Sequence, residues 1–212
     1  MIHDFYQYNK EHPNMEVDSD DYKIAQYLLK DIEKYDKFCE YYFWKSYNED
    51  TDEYVNCMDI GSKNGYPAGS LSNFAPHPFE IDGVKCNSME GFLQSLKFNS
   101  IEMQEYVCTL VGYTAKKKGR NKNWQSKQTL YWRGKEYKRD SKEYQELLDR
   151  AYNELSKNTG FRNALLATGS ATITHSIGRN RSNETVLTQN EFCSRLLKIR
   201  RRLQEEKQEK LF

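Results

Sequence analysis

Two spacings of apolar residues alternate along the chain. Ile24, Tyr27, Leu28, Ile32, Tyr35, Phe38 and Tyr42 recur at helical intervals and predict an amphipathic helix over Asp18 to Tyr47, with Asp18 to Asp21 in its acidic first turn. The same period predicts a helix from near Ser88 (Met89, Phe92, Leu93, Leu96) and one from Ile101 to Lys118 (Met103, Tyr106, Val107, Leu110, Val111), closed by Gly119. Three more follow: Asp140 to Leu155, opened by Asp140-x-x-Glu143; Asn158 to Ala167; and Gln189 to Lys210, opened by Thr188-x-x-Glu191. Elsewhere the apolar residues alternate. Phe79 to Ile81 and Val84 to Cys86 flank Asp82-Gly83, a dipeptide that favours a tight hairpin. Thr129 to Tyr137 reads as a strand pair turning at Arg133-Gly134, and Tyr54 to Ile60 as a short strand. In Ala171 to Ile177, Thr172, Thr174 and Ser176 fall on one side and Ile173, His175 and Ile177 on the other. The expected fold is α+β: a mainly helical single domain over residues 54–212 with small antiparallel strands, preceded by an acidic helical extension over residues 1–53. That N-terminal helix either packs on the domain or contacts a partner.

A chain of 212 residues is long enough to bury a proper core. Its 16 tyrosines suit positions where the ring is packed and the hydroxyl is wet. The first sixty residues carry nine more acidic than basic side chains and the remainder ten more basic than acidic, although the net charge is only +1. Five scattered cysteines (Cys39, Cys57, Cys86, Cys108, Cys193), without a C-x-x-C pair, fit a reducing, cytoplasmic setting. No apolar run reaches the length of a membrane span, and Met1 to Lys10 is too polar for a signal peptide. The four histidines are dispersed and no H-E-x-x-H or Cys/His constellation occurs, so no metal site is expected. The glycines of Gly61 to Ser70 have neither P-loop nor dinucleotide spacing, which leaves them a loop able to offer backbone amides.

Candidate chemistry concentrates between Gly69 and Phe98. Glu90, Gln94 and Lys97 fall at i, i+4 and i+7 on one side of the helix predicted there, with Glu90 and Lys97 two turns, about 10 Å, apart. They can reach one small ligand from opposite ends. Each also has a plainer use: Asn87-Ser88-Met89-Glu90 resembles a capping box in which Asn87 caps and Glu90 reaches back, and Lys97 suits a solvated helix position. Lysines 116 to 118 at a helix C-terminus answer its dipole, or else the stretch Lys116 to Lys127, interrupted by Trp124, meets phosphates with its charges and stacks a base with its indole. His77 and His175 are each open to a structural or a functional role, and Glu191 reads as a cap.

Leu71-Ser72-Asn73-Phe74, Asp82-Gly83, Ser88-Met89-Glu90, Gln94 and Lys97-Phe98 resemble the opening signature of the YbiA-like (NADAR) family of N-glycosidases. Ala115-Lys116-Lys117-Lys118-Gly119-Arg120 with Trp124 is similar to the family's next block, Leu165-Leu166-Ala167-Thr168-Gly169 to a third, and the last helix (Leu196, Leu197, Arg200, Leu203) to a fourth. Together these cover roughly residues 65 to 205, and their order is far more specific than any single block. The resemblance implies Glu90 and Lys97 as catalytic residues, and Ser72, Asn73, Phe74, Gln94, Trp124, Thr168, Gly169 and His175 as substrate-binding ones. It implies no cofactor. It also implies a nucleotide-like N-glycoside as substrate: ADP-ribosylated guanine in nucleic acid, as left by an ADP-ribosyltransferase toxin, or a ribosylamino intermediate of riboflavin synthesis. A binding module for ADP-ribose or nucleic acid is the non-catalytic alternative. Many family members carry an aspartate and a Trp-Gly pair where this chain has Thr174-His175-Ser176-Ile177-Gly178 and Glu184 to Thr188, which implies a variant branch with an altered pocket wall.

Overall fold

The computed structural model describes residues 57–209, together with the short strands Tyr47–Asn48 (β1) and Glu53–Tyr54 (β2), which pair antiparallel. The expected extension over residues 1–53, with its helix over Asp18 to Tyr47, lies outside the described residues apart from these strand positions. From Cys57 onward the fold is the expected α+β arrangement, helices framed by small strands.

A helix at Met89–Ser95 (α1) is the centre of the core, and each of its residues is buried. Phe92 stands edge-on to Phe79 and to Trp132, with ring centroids 6.2 and 5.0 Å away. Those rings belong to two hairpins, Phe79–Ile81 (β4) with Val84–Cys86 (β5), and Thr129–Trp132 (β6) with Lys135–Lys138 (β7). Both turn where the sequence predicts. Asp82-Gly83 has φ of +50° and +78°, and Arg133-Gly134 has φ of +50° and +80°, the paired positive values that match the twist of the flanking strands. Trp132 Nε1 donates to Asp82 at 2.8 Å and ties one hairpin to the other.

The single helix expected over Ile101 to Lys118 is two: Ile101–Cys108 (α2) and Gly112–Gly119 (α3). The break serves the start of α1. Carbonyl oxygens of Cys108, Thr109 and Leu110 accept from Asn87 N, Asn87 Nδ2 and Ser88 Oγ at 2.8, 2.8 and 3.0 Å. Gly112 then takes φ +56° to restart the helix. These bonds also overturn the expected capping box, because Asn87 is occupied elsewhere and Ser88 is the cap, accepting from Gly91 N at 3.0 Å.

Lys142–Leu155 (α4) begins two residues later than expected, since Ser141 rather than Asp140 caps it. Thr159–Ala167 (α5) matches the helix expected from Asn158, which is its cap and accepts from Phe161 N. Gln189–Glu209 (α6) opens on the expected box: Thr188 N donates to Glu191 at 2.7 Å, and Glu191 N donates to Thr188 Oγ1 at 3.2 Å.

One ladder is parallel. Cys57–Asp59 (β3) pairs with Thr172–Thr174 (β8) in the register Cys57 to Thr172, Met58 to Ile173 and Asp59 to Thr174. The strand expected to continue to Ile177 stops at Thr174, because Asp59 takes Ser176 N and Oγ at 2.6 and 2.7 Å and Gly178 N turns back to His175 O at 2.8 Å. Ile177, expected on the buried side with Ile173, is instead 74% exposed. No helix among the described residues is long and apolar enough to cross a membrane.

Candidate active site

A cavity of about 420 Å³ opens over α1, and Glu90, Gln94 and Lys97 line it together. Lys97 sits in the turn just after the helix rather than within it. Glu90 is only 5% exposed, its N–H donates to Asn73 O at 2.8 Å, and its carboxylate accepts from Gln94 Nε2 at 2.8 Å, with Lys116 Nζ at 3.7 Å. Burial pushes the Glu90 carboxyl above its ordinary range, against the opposing pull of Lys116, Gln94 and Lys97. Burial acts the other way on Lys97 and, aided by Lys116 against the pull of Glu90, brings its amine down to about 8. The two groups are thus both shifted toward their neutral forms.

Around this pair the cavity is built from three directions. Ser72, Asn73 and Phe74 follow a 3₁₀ turn at Gly69–Leu71, with Ser72 Oγ accepting from Phe74 N at 3.2 Å. Tyr152 donates its hydroxyl to Asn73 Oδ1 at 2.8 Å from a fully buried position. That bond fixes the amide and leaves its nitrogen, a two-proton donor, uncommitted among the described residues.

From α3 and the loop after it come Lys116, Arg120, Trp124 and Gln125. Trp124 is largely buried, part of the core as well as the lining. A Cβ at Gly119 would run into the end of the Gln94 side chain and force it to shift, so the glycine leaves Gln94 its place beside Glu90. Lys97 Nζ reaches Gly119 O at 3.4 Å.

The remaining wall runs through His175, Ile177 to Arg179 and Glu184 to Leu187, the region that departs from the family pattern. His175 Nδ1 lies 2.6 Å from Ile60 O, which can only accept, so Nδ1 carries the proton and Nε2 keeps its lone pair when the ring is neutral. Its ring also packs edge-on to Phe192 with centroids 5.1 Å apart, so His175 is both packed and at the cavity. Residues 184–188 are held from behind by a buried network. Arg139, 1% exposed, makes a forked pair with Glu191 at 3.0 and 2.6 Å and donates from Nε to Thr185 O at 2.7 Å. Tyr144 donates to Val186 O at 2.7 Å.

Two expected binding residues lie elsewhere. Thr168 caps the end of α5, donating to Leu165 O at 2.7 Å and accepting from Arg200 at 2.9 Å. Gly169 follows at φ +57°, its carbonyl accepting from Gln204 at 3.0 Å. They close a helix end and do not line the cavity. Glu191 likewise caps α6, and His77 holds Ser70 O at 2.8 Å beside Phe161. Conversely, sequence reasoning did not single out Arg179, whereas Lys116 and Arg120 fall in the basic stretch it offered to phosphates and Glu184 in the altered wall it expected. Among the described residues no group of three His, Cys, Asp or Glu side chains is placed to hold a metal ion.

The solved NMR structure of the E. coli protein YbiA shares this fold, with a TM-score of 0.51, 19% identity, and coverage of 73% of this chain and 89% of YbiA. This agrees with the YbiA-like resemblance carried by the motifs. The chain belongs to the family described as Bacteriophage protein GP30.3, which matches residues 65–201. It is also 37% identical, over 146 residues, to the 17.1 kDa protein in the Gp30-rIII intergenic region of Enterobacteria phage T4, covering 68% of this chain and 96% of that one.

Proposed function

We propose that this protein is an N-glycosidase that removes ADP-ribose from ADP-ribosylated guanine in nucleic acid. The YbiA-like resemblance supports glycosidase chemistry in general. The observation that carries the proposal is that Glu90 and Lys97 line one cavity, where burial pushes the acid up and the amine down to about 8. Glycoside cleavage needs both a proton for the departing base and a nucleophile at the ribose C1. In the proposed reaction Glu90 gives its proton to the base nitrogen as the C1–N bond breaks. The neutral Lys97 amine forms a bond to C1 and returns a proton to Glu90. Ring opening gives an imine that water hydrolyses, freeing the amine and the sugar. Gln94, bonded to Glu90, positions the acid. Ser72, Asn73, Phe74, Trp124 and His175 are the groups offered to the sugar and base, and Lys116, Arg120 and Arg179 supply positive charge for the diphosphate. An ADP-ribosyltransferase toxin that writes this lesion is the enzyme partner implied, and the cytoplasm the place of action.

The test is incubation with an oligonucleotide bearing ADP-ribosylated guanine and, separately, with a ribosylamino riboflavin intermediate, followed by mass spectrometry. Release of ADP-ribose from the first is expected, with Glu90→Gln and Lys97→Ala each lowering the rate by about a hundredfold or more while circular dichroism is unchanged. Borohydride should trap a sugar on Lys97. Turnover of only the riboflavin intermediate would reassign the substrate, and binding without turnover of either would make the protein a binding module.

A further inference from the structure

We propose that the face of α3 beside the cavity is a track for single-stranded nucleic acid, with Tyr113 as the platform on which a base stacks. This rests on the nucleic-acid substrate proposed above and extends it beyond the cavity. Tyr113, Lys116 and Arg120 fall at i, i+3 and i+7, so one face of α3 carries all three. Lys116 and Arg120 line the cavity, while Tyr113 stands outside its lining, 60% exposed. The face therefore leads from the cavity to the outer surface.

Its chemistry is selective. Between Gly112 and Lys127 there are six cations and no acidic residue, a continuous field for phosphates. The Arg120 guanidinium lies 5.8 Å from the Tyr113 ring centroid, and the Lys116 ammonium 5.9 Å from that of Phe74. Cations and rings alternate, as suits a strand whose phosphates and bases alternate. Tyr113 lies outside the buried core, so its ring is not explained by packing. A base stacked within a duplex has no face to offer such a ring. An acidic polypeptide would be held by the cations alone.

The test uses the full chain and an unmodified, fluorescein-labelled twelve-residue oligodeoxythymidine in fluorescence polarisation, with oligouridine and a duplex of equal length in parallel. Salt-sensitive binding of single strands is expected, weakened about tenfold by Tyr113→Ala and retained by Tyr113→Phe. Duplex and polyglutamate should be indifferent to Tyr113→Ala. In turnover, Tyr113→Ala should raise KM for the ADP-ribosylated oligonucleotide and leave ADP-ribosylated guanosine unaffected. Absence of single-strand binding, or binding equal in Tyr113→Ala and the parent, overturns the track. Because the binding probe carries no ADP-ribose, Tyr113-dependent binding without turnover would sink only the hydrolase, and turnover without Tyr113 dependence only the track.

Discussion

At Lys97 the amine has lost much of its water without gaining a full counter-charge: its hydrogen-bond partner is the Gly119 carbonyl at 3.4 Å, and the nearby Glu90 is itself driven toward neutrality. Below about pH 8 such an amine is mostly protonated, and only its neutral fraction can attack. The proposed mechanism needs neutral Lys97 and protonated Glu90 together, so kcat/KM should be bell-shaped in pH, falling at low pH where the amine is charged and at high pH where the acid is ionised. Lys97→Arg, with no neutral amine to offer, should stay inactive throughout. The same shift affects stability. A folded-state value below the unfolded one means that the unfolded chain holds more protons between about pH 8 and 10.5, so stability should climb across that window. Lys97→Met should flatten the climb in urea titrations. The sequence placed Glu90 and Lys97 on one side of a helix but left Glu90 between capping and catalysis. Only the competition of Ser88 for the capping site, a contact among neighbours of equal propensity, separates the two.

At the scale of elements, α1 is held less by its own propensity than by what meets its first turn. A Cβ on Gly91 would lie 2.7 Å from Leu110 O, 3.0 Å from Cys108 O and 3.1 Å from Val107 O. Two of these oxygens already accept from Asn87 and Ser88, so they cannot retreat without loss. Gly91→Ala is expected to lower stability by about 1–3 kcal/mol, read as a lower urea midpoint at unchanged slope. Local pattern served well where an element is decided locally: both hairpins, the helix ending at Ala167 and the Thr188–Glu191 box stand as read. It failed where a distant segment decides. The apolar period of Ile101 to Val111 runs on past Cys108, and nothing in that stretch announces that the carbonyls of residues 108–110 are wanted by Asn87 and Ser88. Ile177 was misplaced for the same reason, because the turn that releases it depends on Asp59.

Across the whole molecule, the cavity is assembled from segments that the sequence keeps far apart. The β3–β8 ladder joins Cys57 to Thr172, and the network of Arg139, Tyr144 and Glu191 joins two helices and a hairpin to residues 185–188. The family motifs pointed to most of the cavity's floor, the basic stretch to its cations and the departure at residues 174–188 to its altered wall, whereas their meeting in one place appears only when these pairings are made. Arg139 is buried, but Glu191 keeps its bonds from Thr188 N and Gln145, so Arg139→Ala should cost about 1–3 kcal/mol in chemical denaturation. Arg139→Lys should recover little of it, since an ammonium cannot reproduce the fork. What Arg139 and Tyr144 grip at Thr185 and Val186 is main chain. A lining suspended by its carbonyls does not depend for its course on the side chain it displays at Glu184, so exchanging that residue offers a way to alter which molecules are admitted while the support beneath stays as it is.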